Sequence, residues 1–369
     1  MEEPRILLYD STKPYSVNRK EGPYIWDASV KEYRPWRIEE IMDYRMAGVF
    51  GCTEEFFSRR VFPLGVAAGP LPTMRHVLAS FALGFGVVYY KTVRSVSKMC
   101  LPFPNVLRVY PEGDLKPNTT LIGHYVDMDR KLDGSITNSF GVPSEEPSVW
   151  RPDVAELVRQ LEYEKEKAAV ISFQGTGTGD DQIKDYAKTA KMVANTGAEF
   201  LEANLSCPNE GVNNLVGHDP VRTERIVREI RNTIGDSKKL FIKLPYYSDK
   251  DILGELVERT IDLVDAYASI NTIPAKVLDE NGVAALPGRE ESGICGPAIK
   301  WAGLEITNEL NNLRSAFGRD FKIIAGGGCA SYEDYMEYRK AGADVVTTAT
   351  AAMNDSGIAA KIRLAAMRS

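Results

Sequence analysis

From about residue 64 onward, short runs of apolar residues rich in Val, Ile and Ala alternate with longer amphipathic stretches that carry the charges. Continuous apolar runs of this length suit strands buried on both faces, and the stretches between them have the spacing of helices packed along one side. The pattern predicts eight strands, over residues 64–68, 87–93, 168–173, 200–205, 240–244, 266–272, 322–325 and 344–348, and a last helix over 356–367. Repeated β-α units in this number predict an α/β fold, a closed (β/α)8 TIM barrel, with a doubly wound open sheet as the alternative. The polar positions favour closure. Asn204, Lys243, Asn271, Gly326 and Thr350 fall at or just past the carboxyl ends of different strands. A barrel gathers its chemistry there, whereas an open sheet gathers it at one switch point.

Two stretches interrupt the alternation: 94–137, with many Pro, Gly and Asn, and 274–297, which is rich in Gly. Both follow strands at the catalytic face and are expected to be long loops that cover a substrate. Residues 1–60, with Tyr24, Trp26, Tyr33 and Trp36 among them, read as an ordered N-terminal extension, and residues 61–369 as the barrel.

Composition narrows the function classes. With 369 residues, 44% of them hydrophobic, the chain can bury a barrel core plus an appendage, and its net charge of -6 offers nothing to nucleic acid or an anionic membrane. A small-molecule substrate is the expectation. No apolar run approaches the roughly 18 residues that span a bilayer, and the first twenty residues are mixed and charged, so a cytoplasmic location is expected. Cys52, Cys100, Cys207, Cys295 and Cys329 are odd in number and lack CxxC spacing, which suggests neither disulfides nor a zinc site. No metal is expected, and His76, His124 and His218 are scattered.

The densest chemistry lies at the end of the fourth strand, where Asn204, Ser206, Cys207 and Asn209 fall within six residues and Pro208 enforces a turn. Asparagine amides both donate and accept, so they suit a ring of alternating C=O and N–H groups, and a thiol between them can move a proton. The plain alternative is a capping turn with an inert cysteine. Lys243 ends an apolar strand and calls for an anionic or polar partner: a flavin ring that becomes negative on reduction, a substrate carbonyl that forms a Schiff base, or a neighbouring acid. Lys91, Asn138, Asn271 and Thr272 add hydrogen-bonding capacity at other strand ends, and Gly326-Gly327-Gly328 with Ala349-Thr350 follow strands seven and eight, where such barrels bind phosphate. Gly175-Thr176-Gly177-Thr178-Gly179 lacks the spacing of a dinucleotide loop and reads as a turn or a βα loop near the site.

Taken together, Val66 to Pro70, Lys91-Thr92, Asn138-Ser139-Phe140-Gly141, the string Asn-Leu-Ser-Cys-Pro-Asn at 204–209, Ile242 to Pro245, Asn271-Thr272-Ile273 and the late glycines resemble the dihydroorotate dehydrogenase family. The cysteine in the string resembles the soluble class 1 type. The resemblance implies an oxidoreductase of pyrimidine biosynthesis that binds FMN and oxidises dihydroorotate to orotate. Cys207 would take a proton from C5 while C6 delivers hydride to flavin N5. Lys91 and the main chain near Phe140, Gly141 and Val142 would receive the substrate carboxylate. Asn138, Asn204, Asn209 and Asn271 would hold the pyrimidine, with Thr272 near it. Ala67, Ala68, Gly69, Lys91, Thr92, Asn138, Asn204, Lys243 and Asn271 would contact the cofactor, and Gly296, Gly327, Gly328, Ala349 and Thr350 its phosphate. Ala349 stands where the family commonly has glycine. A free thiol has a pKa of about 8.5, so turnover is expected to rise towards alkaline pH. A homodimer is the assembly the resemblance suggests. The electron acceptor is left open, as are a dihydropyrimidine dehydrogenase-like activity on a related ring and a flavin-free lyase using Lys243.

Overall fold

The computed structural model of the protein describes residues 5–44, 53–116, 119–126, 134–206 and 215–368. Eight parallel strands form its centre: β1 (Leu64–Val66), β2 (Val87–Val93), β3 (Ala168–Phe173), β4 (Phe200–Asn204), β5 (Lys239–Lys243), β6 (Ala266–Ala268), β7 (Lys322–Gly326) and β8 (Val345–Thr348). They pair in sequence order, and β8 pairs with β1, so the sheet closes on itself as a (β/α)8 barrel. Each of the eight predicted runs carries one barrel strand. The sixth is shorter than expected, since β6 ends at Ala268 and leaves Asn271 and Thr272 beyond it.

Strand alternation sends successive side chains to opposite faces. Val88, Ile171, Leu201, Ile242, Ile323 and Val346 point out against the surrounding helices, while Tyr89, Val170, Phe200, Phe241, Ile324 and Val345 fill the interior. The parallel register sets Asn204 level with Lys243, which brings both to the same rim. No helix among the described residues is long and apolar enough to cross a membrane. The final helix, Ile358–Ala366, lies within the expected span, and a separate short helix, Thr350–Asn354, precedes it.

The two ends of the barrel are finished differently. At the amino ends of the strands, a hairpin of Glu54–Phe56 and Arg59–Val61 lies across the opening, and the expected boundary after residue 60 falls inside it. Phe56 is buried against Phe200 and Phe241, and Phe57 stacks on Phe241 at 5.7 Å. At the carboxyl ends, the two expected loops also contribute short strands to one five-stranded sheet. Its order is Val106–Val109, Ser135–Asn138, Glu291–Cys295, Ile273–Leu278 and Thr120–Ile122. The central pair joins the two insertions, with Ile136 opposite Cys295 and Asn138 opposite Gly293. Pro, Gly and Asn between these short strands hid them from a reading based on apolar runs.

The N-terminal extension folds as a three-stranded sheet, Ile6–Leu7, Tyr24–Asp27 and Glu32–Pro35, with helices Tyr15–Glu21 and Ile38–Asp43. Trp36 anchors it, fully buried and edge-on to Tyr44 at 5.3 Å.

Candidate active site

Between the strand ends and the roof sheet lies a cavity of about 680 Å³, well inside the range of roughly 300–1,000 Å³ that accommodates small-molecule ligands. Every site residue expected from the sequence that falls among the described residues lines it: Ala67, Ala68 and Gly69 after β1, Lys91 and Thr92 on β2, and Asn138 with Phe140, Gly141 and Val142 at the roof. Asn204, Lys243, Asn271 and Thr272 follow from the middle strands, and Gly296, Gly327, Gly328, Ala349 and Thr350 complete the far wall. Cys207 and Asn209 lie outside the described residues.

Alternation along β2 turns Lys91 inward, two positions above Tyr89. Its ammonium donates to the carbonyl of Gly69 at 3.1 Å and sits 5.2 Å from the ring centre of Phe140 and 5.5 Å from that of Tyr15. Those ring faces attract the cation and help to hold it at the cavity wall.

Opposite Lys91, the turn 139–142 is braced from both sides. Asn105 donates to the carbonyl of Ser139 at 3.1 Å, Arg289 to the same carbonyl at 2.6 Å, and Arg94 to that of Val142 at 3.2 Å. Gly141 has φ +77° and a side chain there would strike Leu101, while Val142 has φ +50°. A β-branched residue in that region costs on the order of 1–3 kcal/mol and persists only where its surroundings over-determine it. The strain buys a fixed orientation of main chain at the cavity wall.

Asn204 and Asn271 are joined through Ser206. The Asn204 Oδ1 accepts from the Ser206 hydroxyl at 3.0 Å, and the Asn271 Nδ2 donates to that hydroxyl and to the Ser206 carbonyl, both at 3.0 Å. Gln174 accepts the Asn204 amide at 3.3 Å, and Tyr186 donates to the Asn204 carbonyl at 2.8 Å. The two asparagines are therefore fixed in orientation. Across the cavity Asn138 donates to the thiol of Cys295 at 3.2 Å. Burial raises that thiol's pKa, against hydrogen bonds from Thr350 and Asn138.

Beneath this rim, burial lowers the pKa of Lys243, and the neighbouring Glu202 charge works against it. Glu202 is 2% exposed and its carboxyl is pushed up to about 7 by burial, partly offset by Lys243 and a hydrogen bond from Ser172. Ser172 also shares a 3.0 Å hydrogen bond with Thr92. One of the alternatives for Lys243, an acid on a neighbouring strand, is thus present inside the barrel.

The late glycines pack main chain against main chain. A side chain on Gly328, at φ +77°, would lie 2.6 Å from the carbonyl oxygen of Gly296, itself at φ +99°. Tyr338 donates to the Gly327 carbonyl at 2.5 Å and fixes the turn from behind. The Gly175 to Gly179 stretch does not line the cavity. It turns into the helix Gly179–Ala194, with Asp185 accepting from the Thr176 amide at 2.8 Å.

Tyr9, Glu202, Cys295, Cys329 and Met353 belong to the cavity or its floor and were not singled out as site residues in the sequence. Cys295 is adjacent to Gly296 and could have been found by that neighbour. Glu202 could have been found as a lone charge in an apolar strand. Tyr9 had no such signal.

A family model described as dihydroorotate dehydrogenase matches residues 127–365, well over half of the chain. A dihydroorotate dehydrogenase of Dictyostelium discoideum is 27% identical over 373 residues, covering 96% of this chain and 96% of its own. The unmatched 4% is far smaller than the N-terminal extension, so most of that extension has a counterpart there. The catalytic subunit of a dihydroorotate dehydrogenase B (NAD(+)) from Thermoplasma acidophilum is 34% identical over 170 residues, 46% of this chain and 53% of that one. Among solved structures, the dihydroorotate dehydrogenase of Eimeria tenella in complex with ferulenol has the same fold, with a TM-score of 0.65 at 18% identity over 82% of this chain and 79% of that one.

Proposed function

The chain belongs to the dihydroorotate dehydrogenase family, and on that premise we propose that it is a class 1 enzyme that oxidises dihydroorotate to orotate at the CH–CH bond of the ring, in the cytoplasm, with FMN as cofactor. The observation that carries the reading is the convergence of Lys91, Asn138, Asn204, Lys243 and Asn271 on one cavity at the carboxyl ends of the strands.

The residues present fit both ligands. Gly296, Gly327 and Gly328 present bare main chain at the cavity wall, which suits the close approach of a phosphate. Ala67, Ala68 and Gly69 keep the opposite wall low enough for a flat ring system. Asparagine amides held by Ser206, Gln174 and Cys295 offer donors and acceptors to the alternating edge of a pyrimidine. FMN, when bound, supplies the hydride acceptor at N5.

The chain's own part is binding, orientation and proton transfer. Lys91 and the main chain of Phe140, Gly141 and Val142 receive the substrate carboxylate, and Asn138, Asn204, Asn209 and Asn271, with Thr272, hold the ring. Cys207, which directly follows Ser206 in the chain, removes the proton from C5. Lys243, with Glu202 behind it, meets the charge of the cofactor, and Thr92, Ala349 and Thr350 complete its setting. The test is the visible spectrum of the purified protein before and after anaerobic dihydroorotate. A flavin band that bleaches is the expected outcome. A yellow protein left unbleached overturns the substrate, and a colourless protein that FMN does not reconstitute overturns the cofactor.

A further inference from the structure

Arg289 stands where the second insertion turns back towards the roof sheet. Leu286-Pro287-Gly288-Arg289 carries Pro and then Gly at its two central positions, the signature of a type II turn, and Gly288 has the positive φ, +71°, that such a turn needs. The Arg289 amide closes the turn on the carbonyl of Leu286 at 3.0 Å. The half-buried guanidinium directs its donors at main-chain carbonyls, those of Ser139 and Pro102 at 2.6 Å each and of Pro104 and Pro287 at 3.2 Å each. Two acids follow it in the chain, but Glu290 pairs with Lys276 at 3.4 Å, and Arg289 makes no ion pair among the described residues. It thus brings a positive charge to the roof that no described carboxylate neutralises.

The Ser139 carbonyl belongs to the same peptide group as the Phe140 amide. A cation bonded to a peptide oxygen draws charge from that peptide's N–H and makes it a stronger donor. Asn105 adds a second, neutral bond to the same oxygen at 3.1 Å. The amides of Phe140, Gly141 and Val142 donate to no protein acceptor among the described residues, and all three residues line the cavity. Main-chain amides away from bulk water are ordinarily paired, and successive amides of a tight turn can converge on one anion. Gly141 at φ +77° and Val142 at φ +50° hold them in such a turn.

Arg94 supplies the contrast. It grips the same turn through the Val142 carbonyl at 3.2 Å, but that peptide ends in Pro143, which has no N–H to strengthen. Arg94 therefore braces the turn, whereas Arg289 also affects how strongly the turn donates.

We propose that Arg289 is a positioning residue that sets the preference for an acidic ring: acting through the peptide between Ser139 and Phe140, it strengthens the main-chain amides that receive the substrate carboxylate, and its own charge adds to their pull. The assignment rests on the proposed function and deepens it, because it makes the second insertion part of substrate selection. The experiment compares FMN-loaded wild type with Arg289→Gln, which can still donate to the carbonyl but carries no charge, and with Arg289→Lys, which keeps the charge. Equilibrium binding of orotate and of uracil is measured by calorimetry, with flavin content and urea midpoint recorded for each protein. A unit charge acting over about 10 Å at an effective dielectric of about 40 changes the affinity for an anion by about fivefold. Arg289→Gln is expected to weaken orotate by that factor and to leave uracil within about twofold, while Arg289→Lys stays near wild type for both. Unchanged orotate affinity in Arg289→Gln overturns the role of Arg289 and leaves the functional reading intact. Equal losses for the two ligands, or a loss in Arg289→Lys as large as in Arg289→Gln, overturn it as well, because the side chain is then a brace alone. Wild-type protein that binds uracil and not orotate overturns the acidic substrate and the Arg289 assignment together. Arg289→Met, which keeps the apolar stem, is read by the same criteria if Arg289→Gln does not fold.

Discussion

The same strands end in two kinds of structure. At their amino ends, Phe200 and Phe241 meet Phe56 and Phe57 in a plug of four aromatic rings, and acids are tied down by neighbouring cations. Asp265, just before β6, takes Arg231 at 2.7 Å, Lys239 at 3.0 Å and the Leu240 amide at 2.9 Å. Asp344, just before β8, takes Arg314 and the Ile323 amide, each at 2.7 Å. At their carboxyl ends, four residues after Phe200 and two after Phe241, Asn204, Lys243 and their neighbours hold one another by a few hydrogen bonds and leave donors turned to a cavity. A strand of five residues therefore carries stability at one end and chemistry at the other, and the two can be altered separately.

Substitutions at the two ends test that separation. The largest effect is expected from Cys207→Ala, which should lower turnover by about 10²–10⁴-fold and leave the urea midpoint unchanged. Unaltered steady-state turnover would remove the thiol from the mechanism. Phe56→Ala should do the reverse, costing about 3–5 kcal/mol in urea unfolding while orotate affinity stays within about twofold. A large loss of affinity in that variant would show that the plug and the cavity are one unit.

Glu202 lies between the two regions and sharpens the comparison. Its carboxyl is raised from 4.5 to about 7 by burial. Between those values the unfolded chain gives up this proton and the folded protein keeps it. Its contribution to stability is therefore complete below pH 4.5 and declines as pH rises to about 7, by about 3 kcal/mol over the window. Glu202→Gln should flatten that slope in cofactor-free protein, measured by urea unfolding at pH 5, 6 and 7. An identical slope in the variant would place the titration elsewhere.

The barrel was legible because strands buried on both faces must be apolar throughout, and runs such as Val87-Val88-Tyr89-Tyr90 or Leu240-Phe241-Ile242 leave little else to form. The strand-end polar residues were legible for the complementary reason, since Asn204 and Lys243 interrupt such runs. The roof sheet was not. Its strands are three to six residues long, and their pairing joins segments that neither local pattern nor spacing relates. Tyr9 is the extreme case, because an aromatic residue in an aromatic-rich extension looks like packing until the fold shows where it leads.

The roof sheet also bears on how the protein matures. Thr137 and Ser292, whose hydroxyls pair within it, are 155 residues apart. Contacts of that span are slow to form, because chain entropy is lost long before the contact repays it. Most barrel strands pair with the next in sequence, but closing the barrel brings 346–348 to 64–66, and closing the lid over the cavity brings 291–295 to 135–138. Catalytic competence should therefore be acquired after most of the chain has already folded.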